Sequence, residues 1–205
     1  MKLHTGHFLE RRAALPWLMG ACDAPFDRQG ACLVITRPLS LNHIAYPTWD
    51  SAATYRFYTE VLRCEFIAAI QLDSVPSTGA NTPYLHTFYR LQRGGCIAFF
   101  EVDGLDEPAP DGIPAWIRHL ALDVASLEEL SEWRDHFEAH GLRPVGIVDH
   151  DGVWESLYIF DPQGVRIELT VQNRPLGESD RQSGLKTLAQ WAVRHGQDFA
   201  AAKPC

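Results

Sequence analysis

The sequence reads NHIAY at residues 42–46, and the similar stretch RHLAL returns at residues 118–122. Each stretch belongs to an apolar run that is typical of a β-strand, and a predicted helix follows each run. A third stretch, YIFDPQGVRIE, has a turn signal at its centre and ends on Glu168. Two histidines on predicted strands, His43 and His119, together with this carboxylate are the ligand complement of an open site for divalent iron or a related metal.

Each of these three residues also has a purely structural interpretation. A histidine on an apolar strand is usually a hydrogen-bonded structural residue, and Glu168 could instead pair with Arg166 or Arg118. The equivalent places of His43 and His119 in two copies of one pattern favour the metal-binding interpretation.

The order of predicted elements, a strand, a helix and three more strands, occurs twice. Residues 39–103 form the first predicted module and residues 115–171 the second, with a linker at residues 104–114 that contains three prolines. Residues 1–38 are predicted to be an N-terminal extension, and residues 172–205 to be a polar linker with a C-terminal helix. The pattern predicts an α+β fold built from two βαβββ modules.

The predicted strands and helix faces follow from apolar periodicity. The strands are at residues 39–46, 65–70, 84–91, 96–102, 117–124, 144–148, 155–160 and 165–171. The apolar faces of the three helices comprise Ala52, Tyr55, Tyr58, Val61 and Leu62; Leu127, Leu130, Trp133 and Phe137; and Leu185, Leu188, Trp191 and Ala192. The last helix is expected at about residues 184–201, packed against the sheet or against a second subunit.

The composition is typical of a globular protein of 205 residues, of which 46% are hydrophobic. The net charge of −8 argues against a sequence-independent nucleic-acid binder, which needs clustered lysine and arginine. No run approaches the roughly 18 apolar residues that span a bilayer, so no membrane partner is expected. Five cysteines without CxxC spacing favour a reducing cytoplasm, although the apolar residues 13–21 leave an export signal as an alternative.

The duplicated module, the histidine-bearing first strands and the Asp-Pro-x-Gly turn before Glu168 resemble the vicinal oxygen chelate superfamily, over about residues 40–171. That superfamily includes glyoxalase I, extradiol dioxygenases, methylmalonyl-CoA epimerase and fosfomycin-resistance thiol transferases. The resemblance implies two paired modules that form an open, curved mixed sheet around a metal-binding cavity. It also implies that His43, His119 and Glu168 bind a divalent metal, first of all Fe(II), with manganese, nickel or zinc as alternatives.

The same resemblance implies a small-molecule substrate with two adjacent oxygens. The paired modules can come from one chain or from two, so a homodimer is one of the two expected arrangements. Aromatic residues on or beside the cavity strands favour a planar aromatic diol. They are Tyr46, Tyr84, Phe88, Phe99, Phe100 and Trp154.

Extradiol dioxygenases place a tyrosine ten residues before the metal-binding glutamate and a histidine slightly further upstream, as Tyr158 and His150 stand here. Side chains of these types can hold a substrate oxygen and carry its proton. A plain four-residue turn would nevertheless place Leu157, and not Tyr158, opposite Glu168. A bulge at Gly164 would restore Tyr158 to the ligand face, and otherwise Tyr158 is a core aromatic and His150 a loop residue.

Extradiol enzymes carry a further acid–base histidine on the last strand of the first module, and residues 96–101 here contain none. His86 on the adjacent strand is the substitute, unless it is a sheet-edge histidine. In glyoxalase-type isomerases a glutamate on the same last strand is a metal ligand or a base. Glu101 is the only candidate here for that glutamate, although the position of Ala98 matches the isomerase pattern more closely. The leading hypothesis is an extradiol-type dioxygenase. A glyoxalase- or epimerase-like enzyme and a metal-free, bleomycin-resistance-like binding protein are the alternatives.

Overall fold

The computed structural model describes residues 37–199 apart from residues 108 and 110. The export-like stretch at residues 13–21 and the last residues of the predicted C-terminal helix, 200 and 201, lie outside the described residues. None of the described helices is long and apolar enough to cross a membrane.

Eight strands and three helices make up the described chain. The strands are β1 (His43–Pro47), β2 (Glu65–Leu72), β3 (Tyr84–Arg90), β4 (Cys96–Val102), β5 (His119–Asp123), β6 (Val145–His150), β7 (Trp154–Phe160) and β8 (Arg166–Gln172). The helices are α1 (Ser51–Arg56), which continues into a π-helical turn at Phe57–Val61, α2 (Leu127–Ala139) and α3 (Glu178–Arg194).

The strands form two four-stranded sheets with the same topology. Their orders are β1-β4-β3-β2 and β5-β8-β7-β6, and only the β1–β4 and β5–β8 pairs are parallel. The predicted α+β fold of two βαβββ modules is therefore confirmed. The first strand begins at His43, later than the predicted residue 39, and it includes Pro47, which an edge strand tolerates because one side of it needs no backbone donor.

The first helix buries only the C-terminal part of its predicted face. Asp50 caps its N-terminus by accepting the Ala53 N–H at 2.8 Å. Of the predicted face, Tyr58 and Leu62 are buried, whereas Ala52 and Tyr55 are exposed. The π-helical turn widens the backbone, so residues before and after it do not share the single face of a regular helix.

The two modules share one hydrophobic core on the helix sides of their sheets. It contains Tyr58 and Phe99 from the first module and Leu130 and Leu157 from the second, all of them fully buried. The Tyr58 hydroxyl donates a hydrogen bond of 3.0 Å to Asp161 Oδ2 in the second module. The modules are thus joined by a buried polar contact as well as by apolar packing.

The C-terminal helix starts earlier than predicted and packs less. It begins at Glu178 because the Asp180 carboxylate accepts the Gly177 N–H at 2.9 Å and also pairs with Arg174 at 2.8 Å. Of its predicted apolar face, Ala192 is buried while Trp191 is about half exposed. The face as a whole is therefore not packed against the sheet, and packing against a second subunit, the other expected arrangement, stays a prediction.

We expect Tyr58→Phe to lower the free energy of unfolding by about 1–3 kcal/mol at neutral pH, because it leaves a buried carboxylate without one of its donors. Burial raises the pKa of Asp161, so this residue stabilises the fold most below its ordinary pKa, and its contribution falls as the pH rises through the raised value. The Tyr58 hydrogen bond acts on the ionised carboxylate, and the loss in Tyr58→Phe should therefore shrink as the pH falls. Urea unfolding across a pH series measures both effects.

Tyr55→Phe is the matched control, since Tyr55 lies on the same helix with a side chain 45% exposed. This substitution should change the free energy of unfolding by less than about 0.5 kcal/mol. Equal effects of the two substitutions, or a pH-independent loss in Tyr58→Phe, would rule out the Asp161 contact as the cause.

Candidate active site

Two of the three predicted metal ligands lie together in the second sheet. The parallel β5–β8 register pairs the Cα atoms of Ala121 and Glu168, and it pairs His119 with Arg166. The distance between His119 Nε2 and Glu168 Oε2 is 3.0 Å. Glu168 therefore contacts the predicted partner ligand, and neither of the two arginines forms an ion pair with it.

A buried serine holds the other oxygen of this carboxylate. Ser156 on β7 is fully buried, and its hydroxyl lies 2.5 Å from Glu168 Oε1 and 3.0 Å from the Thr170 hydroxyl. Both Glu168 oxygens are thus oriented, one by Ser156 and the other by His119. Sequence reasoning missed Ser156 and Thr170, although both are polar residues two positions from a predicted site residue on the same strand.

Tyr158 lies on the same face of the second sheet as Glu168. The antiparallel β7–β8 register pairs their Cα atoms directly. The connection between the two strands has five residues, within which Gly164 adopts a φ of +80°, so the parity differs from that of a plain four-residue turn. The condition that Gly164 shifts the alternation of side chains is therefore met, and Tyr158 lies on the same face as Glu168.

His150 is in contact with Tyr158 across this face. Its Nε2 atom lies 2.8 Å from the Tyr158 hydroxyl oxygen. Burial raises the pKa of Tyr158, and the charge of Glu168 acts in the same direction, so the hydroxyl stays protonated at neutral pH. The two predicted proton-handling residues therefore form a hydrogen-bonded pair beside the Glu168 carboxylate.

A bulge in β6 supports this pair. The register between β6 and β7 shifts between Val145 and Val148, and Gly146 within the shift has a φ of +119°. A Cβ at this glycine would lie 2.6 Å from the Ser156 carbonyl oxygen, which is closer than atoms can approach. The absence of a side chain at position 146 is thus what lets β6, which ends at His150, lie against β7.

The third predicted ligand, His43, lies in the other sheet. Its Nδ1 atom is 2.7 Å from Asn42 Oδ1, and its ring centre is 5.6 Å from that of Phe88 and 6.1 Å from that of His86. Within residues 37–199 as described, no three histidine, cysteine, aspartate or glutamate side chains lie close enough together to hold one metal ion. A single chain therefore brings His119 and Glu168 together without His43.

His86 lies beside His43 and is a buried residue of an interior strand, so it is not a sheet-edge histidine. Its Nδ1 atom donates to the Phe99 carbonyl oxygen at 3.0 Å, and its ring stacks on Phe100 with centres 3.6 Å apart. Burial lowers the pKa of His86, which favours the neutral ring with Nε2 as a base. His86 thus belongs with His43 in the first sheet and not with His150 and Tyr158.

Glu101 has a structural role. Its Oε2 atom accepts the Ser51 N–H at 2.9 Å, at the first residue of α1. A carboxylate at this position compensates the positive end of the helix and one of its unpaired donors. This contact accounts for Glu101 without a metal.

The predicted aromatic residues of the first sheet lie on both of its faces, whereas Trp154 belongs to β7 in the second sheet. Phe88 and Phe100 contact His86 on the candidate face. Tyr46 and Phe99 contact each other, and Phe99 is fully buried in the shared core. Tyr46 and Phe99 therefore lie on the core side of the sheet, because strand alternation turns them toward the helices.

Known proteins resemble this chain in sequence and in fold. One similar protein is biphenyl-2,3-diol 1,2-dioxygenase of Paraburkholderia xenovorans (strain LB400), 25% identical over 189 residues that cover 92% of this chain. The chain spans 57% of the length of that relative.

Two solved structures illustrate the fold. A glyoxylase/bleomycin resistance protein/dioxygenase domain from Frankia sp. EAN1pec is 19% identical with a TM-score of 0.51, over 66% of this chain and 99% of that one. The fosfomycin resistance protein FosX of Listeria monocytogenes, complexed with Mn(II) and sulfate, is 21% identical with a TM-score of 0.46, over 66% of this chain and 93% of that one.

A family profile extends over both modules of the chain. The sequence profile of the Glyoxalase/Bleomycin resistance protein/Dioxygenase superfamily matches residues 40–169, from just before β1 into β8. That range includes every strand with a predicted site residue. The chain belongs to the glyoxalase/bleomycin resistance protein/dioxygenase superfamily.

Proposed function

We propose that this chain is an extradiol-type dioxygenase, which uses a bound divalent metal and dioxygen to cleave an aromatic ring beside two adjacent hydroxyls. The observation that carries this proposal is the 2.8 Å contact between His150 and Tyr158 on the face that also holds the His119–Glu168 pair. The similarity to a biphenyl-2,3-diol dioxygenase supports the same reaction type.

The donor set fits a divalent cation. Two donors bound at about 2.1 Å and at right angles to each other lie about 3 Å apart, and His119 Nε2 and Glu168 Oε2 are 3.0 Å apart. Two imidazoles and a carboxylate suit Fe(II) best among the family's metals when oxygen chemistry is required, and manganese, nickel or zinc can bind the same set. When bound, the metal would act as a Lewis acid toward two adjacent substrate oxygens.

We further propose that the third ligand, His43, comes from a second copy of the chain. The candidate faces of both sheets are apolar and partly uncovered: Ile70, paired with His86, is 45% exposed, and Val148, paired with Ser156, is 37% exposed. A two-fold dimer that brings the first sheet of one copy against the second sheet of the other would bury these side chains. His86 would then reach the site together with His43.

The protein side chains supply the proton chemistry. A substrate hydroxyl donates a hydrogen bond to the Tyr158 hydroxyl oxygen, and the Tyr158 hydroxyl donates to His150 Nε2. When the substrate loses its proton, Tyr158 takes it and passes its own proton to His150. Ser156 keeps the Glu168 carboxylate in position through its hydrogen bond. The proposed substrate is a small molecule, and the net charge of −8 argues against a nucleic-acid partner. The five cysteines favour a reducing cytoplasm as the compartment.

A metal-free binding protein is the second candidate. The separation of His43 from His119 and Glu168 within one chain favours it, because the His119 and Glu168 side chains already contact each other at 3.0 Å without a metal. A glyoxalase- or epimerase-like reaction has less support, since the Glu101 carboxylate is taken by the Ser51 N–H.

We expect protein purified anaerobically without chelator to contain about one iron per chain and to consume oxygen with at least one member of a catechol panel. His43→Ala and His119→Ala should each abolish bound metal and oxygen uptake. His195→Ala is the control, because His195 caps the C-terminus of α3 and is exposed. Unchanged metal content in both ligand variants would rule out the proposed metal site. Protein that contains iron and cleaves no catechol would rule out the dioxygenase activity.

Mixed dimers test the origin of His43. The variants His43→Ala and Glu168→Ala should each bind no metal alone. When they are unfolded and refolded together in equal amounts, half of the dimers contain one copy of each variant, and one of the two sites in such a dimer is intact. The mixture should therefore bind about a quarter of the wild-type metal content per chain. Co-refolded His119→Ala and Glu168→Ala should restore none, since those two ligands come from one chain. Failure of the first mixture, when wild type refolds with full metal content, would show that no ligand is exchanged between copies.

Tyr158→Phe and His150→Gln should each lower kcat by about 10²- to 10⁴-fold while bound iron stays at the wild-type level, as expected for residues that handle protons. The matched controls are Tyr55→Phe and His195→Gln, which should leave kcat within about twofold. Steady-state oxygen uptake and iron analysis on the same samples provide both quantities. A normal kcat in Tyr158→Phe would exclude the proposed role of the hydroxyl.

A further inference from the structure

Arg166 lies on the candidate face at the first position of β8. Its guanidinium carbon is 4.0 Å from the centre of the Tyr158 ring. Its Cα is paired with that of His119 on one side and with that of Phe160 on the other. Because side chains alternate along a strand, Arg166 and Glu168 point to the same side of the sheet.

The charge of this arginine has no protein partner in the described part of the chain. Of the two arginines there that are half-buried, Arg134 pairs with Asp135 at 2.9 Å, whereas Arg166 forms neither an ion pair nor a hydrogen bond. The adjacent carboxylate, Glu168, is already held by Ser156 and His119. A half-buried guanidinium with five donors and no acceptor is costly unless a ligand supplies one.

We propose that Arg166 binds a carboxylate on the aromatic substrate, so that the enzyme prefers ring diols that carry an acidic substituent. The inference rests on the proposed function and specifies its substrate class. The Tyr158 ring lies 4.0 Å from the guanidinium carbon and holds the cation in place, while no protein acceptor among the described residues takes its N–H groups. Those donors can form a two-pronged bond to a carboxylate.

The spacing along β8 agrees with such a substrate. Residues two apart on a strand have Cα atoms separated by about 6.6 Å, which is comparable with the span of a benzene ring and one substituent. The diol oxygens can then lie at Glu168 and Tyr158 while the acidic group reaches Arg166. A local cation is also needed because the net charge of −8 repels an anionic substrate.

Kinetics with a charged and a neutral substrate test this role. The probes are 3,4-dihydroxybenzoate and catechol, with oxygen uptake measured for wild type, Arg166→Gln and Arg166→Lys. We expect Arg166→Gln to raise KM for dihydroxybenzoate about 10- to 100-fold and to leave KM for catechol within about twofold. Arg166→Lys should be intermediate, because lysine keeps the charge and loses the fork.

Arg118→Gln is the matched control. Arg118 precedes β5, is exposed and pairs with Asp111, so its loss should change neither KM. Calorimetric titration with 4-hydroxybenzoate, which has the carboxylate and lacks the diol, measures the same interaction without turnover. Binding should be detectable in wild type and weaker by about 10-fold or more in Arg166→Gln.

The outcomes separate the inference from the proposed function. If Arg166→Gln weakens both substrates equally, the arginine only positions Tyr158 and the inference is wrong. If wild type cleaves catechol and shows no preference for dihydroxybenzoate, the inference is wrong while the dioxygenase stands. If neither compound is cleaved, the proposed dioxygenase activity is wrong, and the calorimetric titration with 4-hydroxybenzoate still tests the carboxylate site. Equal binding to wild type and Arg166→Gln, or undetectable binding to both, would show that Arg166 does not bind a carboxylate.

Discussion

The parallel pairing of the first and last strands in each module is the constraint on which the rest of the structure depends. It joins β1 to β4 and β5 to β8, strands that are distant in sequence. In the second module this pairing brings His119 to 3.0 Å from Glu168, although 49 positions of numbering separate them. Without it, the two residues would belong to unrelated strands. The helix and the hairpin of each module serve to return the chain to that edge.

The two faces of each sheet differ in the side chains that they carry. The helix sides share a core across the modules, reinforced by the buried Tyr58–Asp161 hydrogen bond. The opposite sides carry polar and titratable groups in apolar surroundings, with Ser156 and Glu168 buried on the second sheet and His86 on the first. Burial of such groups is unfavourable unless they are paired, and each is paired within its own sheet. The polar faces are thus ordered within each sheet, in keeping with a preorganised binding site.

Much of the fold could be predicted from local patterns because the responsible interactions are local. Ser126 and Glu129 form the capping contacts at the start of α2, a pattern that is visible in the sequence. The residues Leu130 and Phe137 of its predicted apolar face are fully buried. Predictions failed where the backbone departs from a regular period. At the π-helical turn the buried face shifts, so that Ala52 and Tyr55 before it are exposed although Tyr58 is buried as predicted. A charged first turn extended α3 toward the N-terminus. Neither departure leaves a mark in hydrophobic periodicity.

The sequence by itself determined the module order, the superfamily resemblance and the pairing of His119 with Glu168, since repeated motifs on strands of known order meet at a predictable edge. Only the tertiary structure decided that Tyr158 faces Glu168, because one residue more in the β7–β8 loop inverts every side chain of a strand. It also decided that His43 and His86 lie together in a sheet apart from His119. Contacts between modules depend on how whole sheets pack, and this is a long-range property that no single stretch of residues encodes.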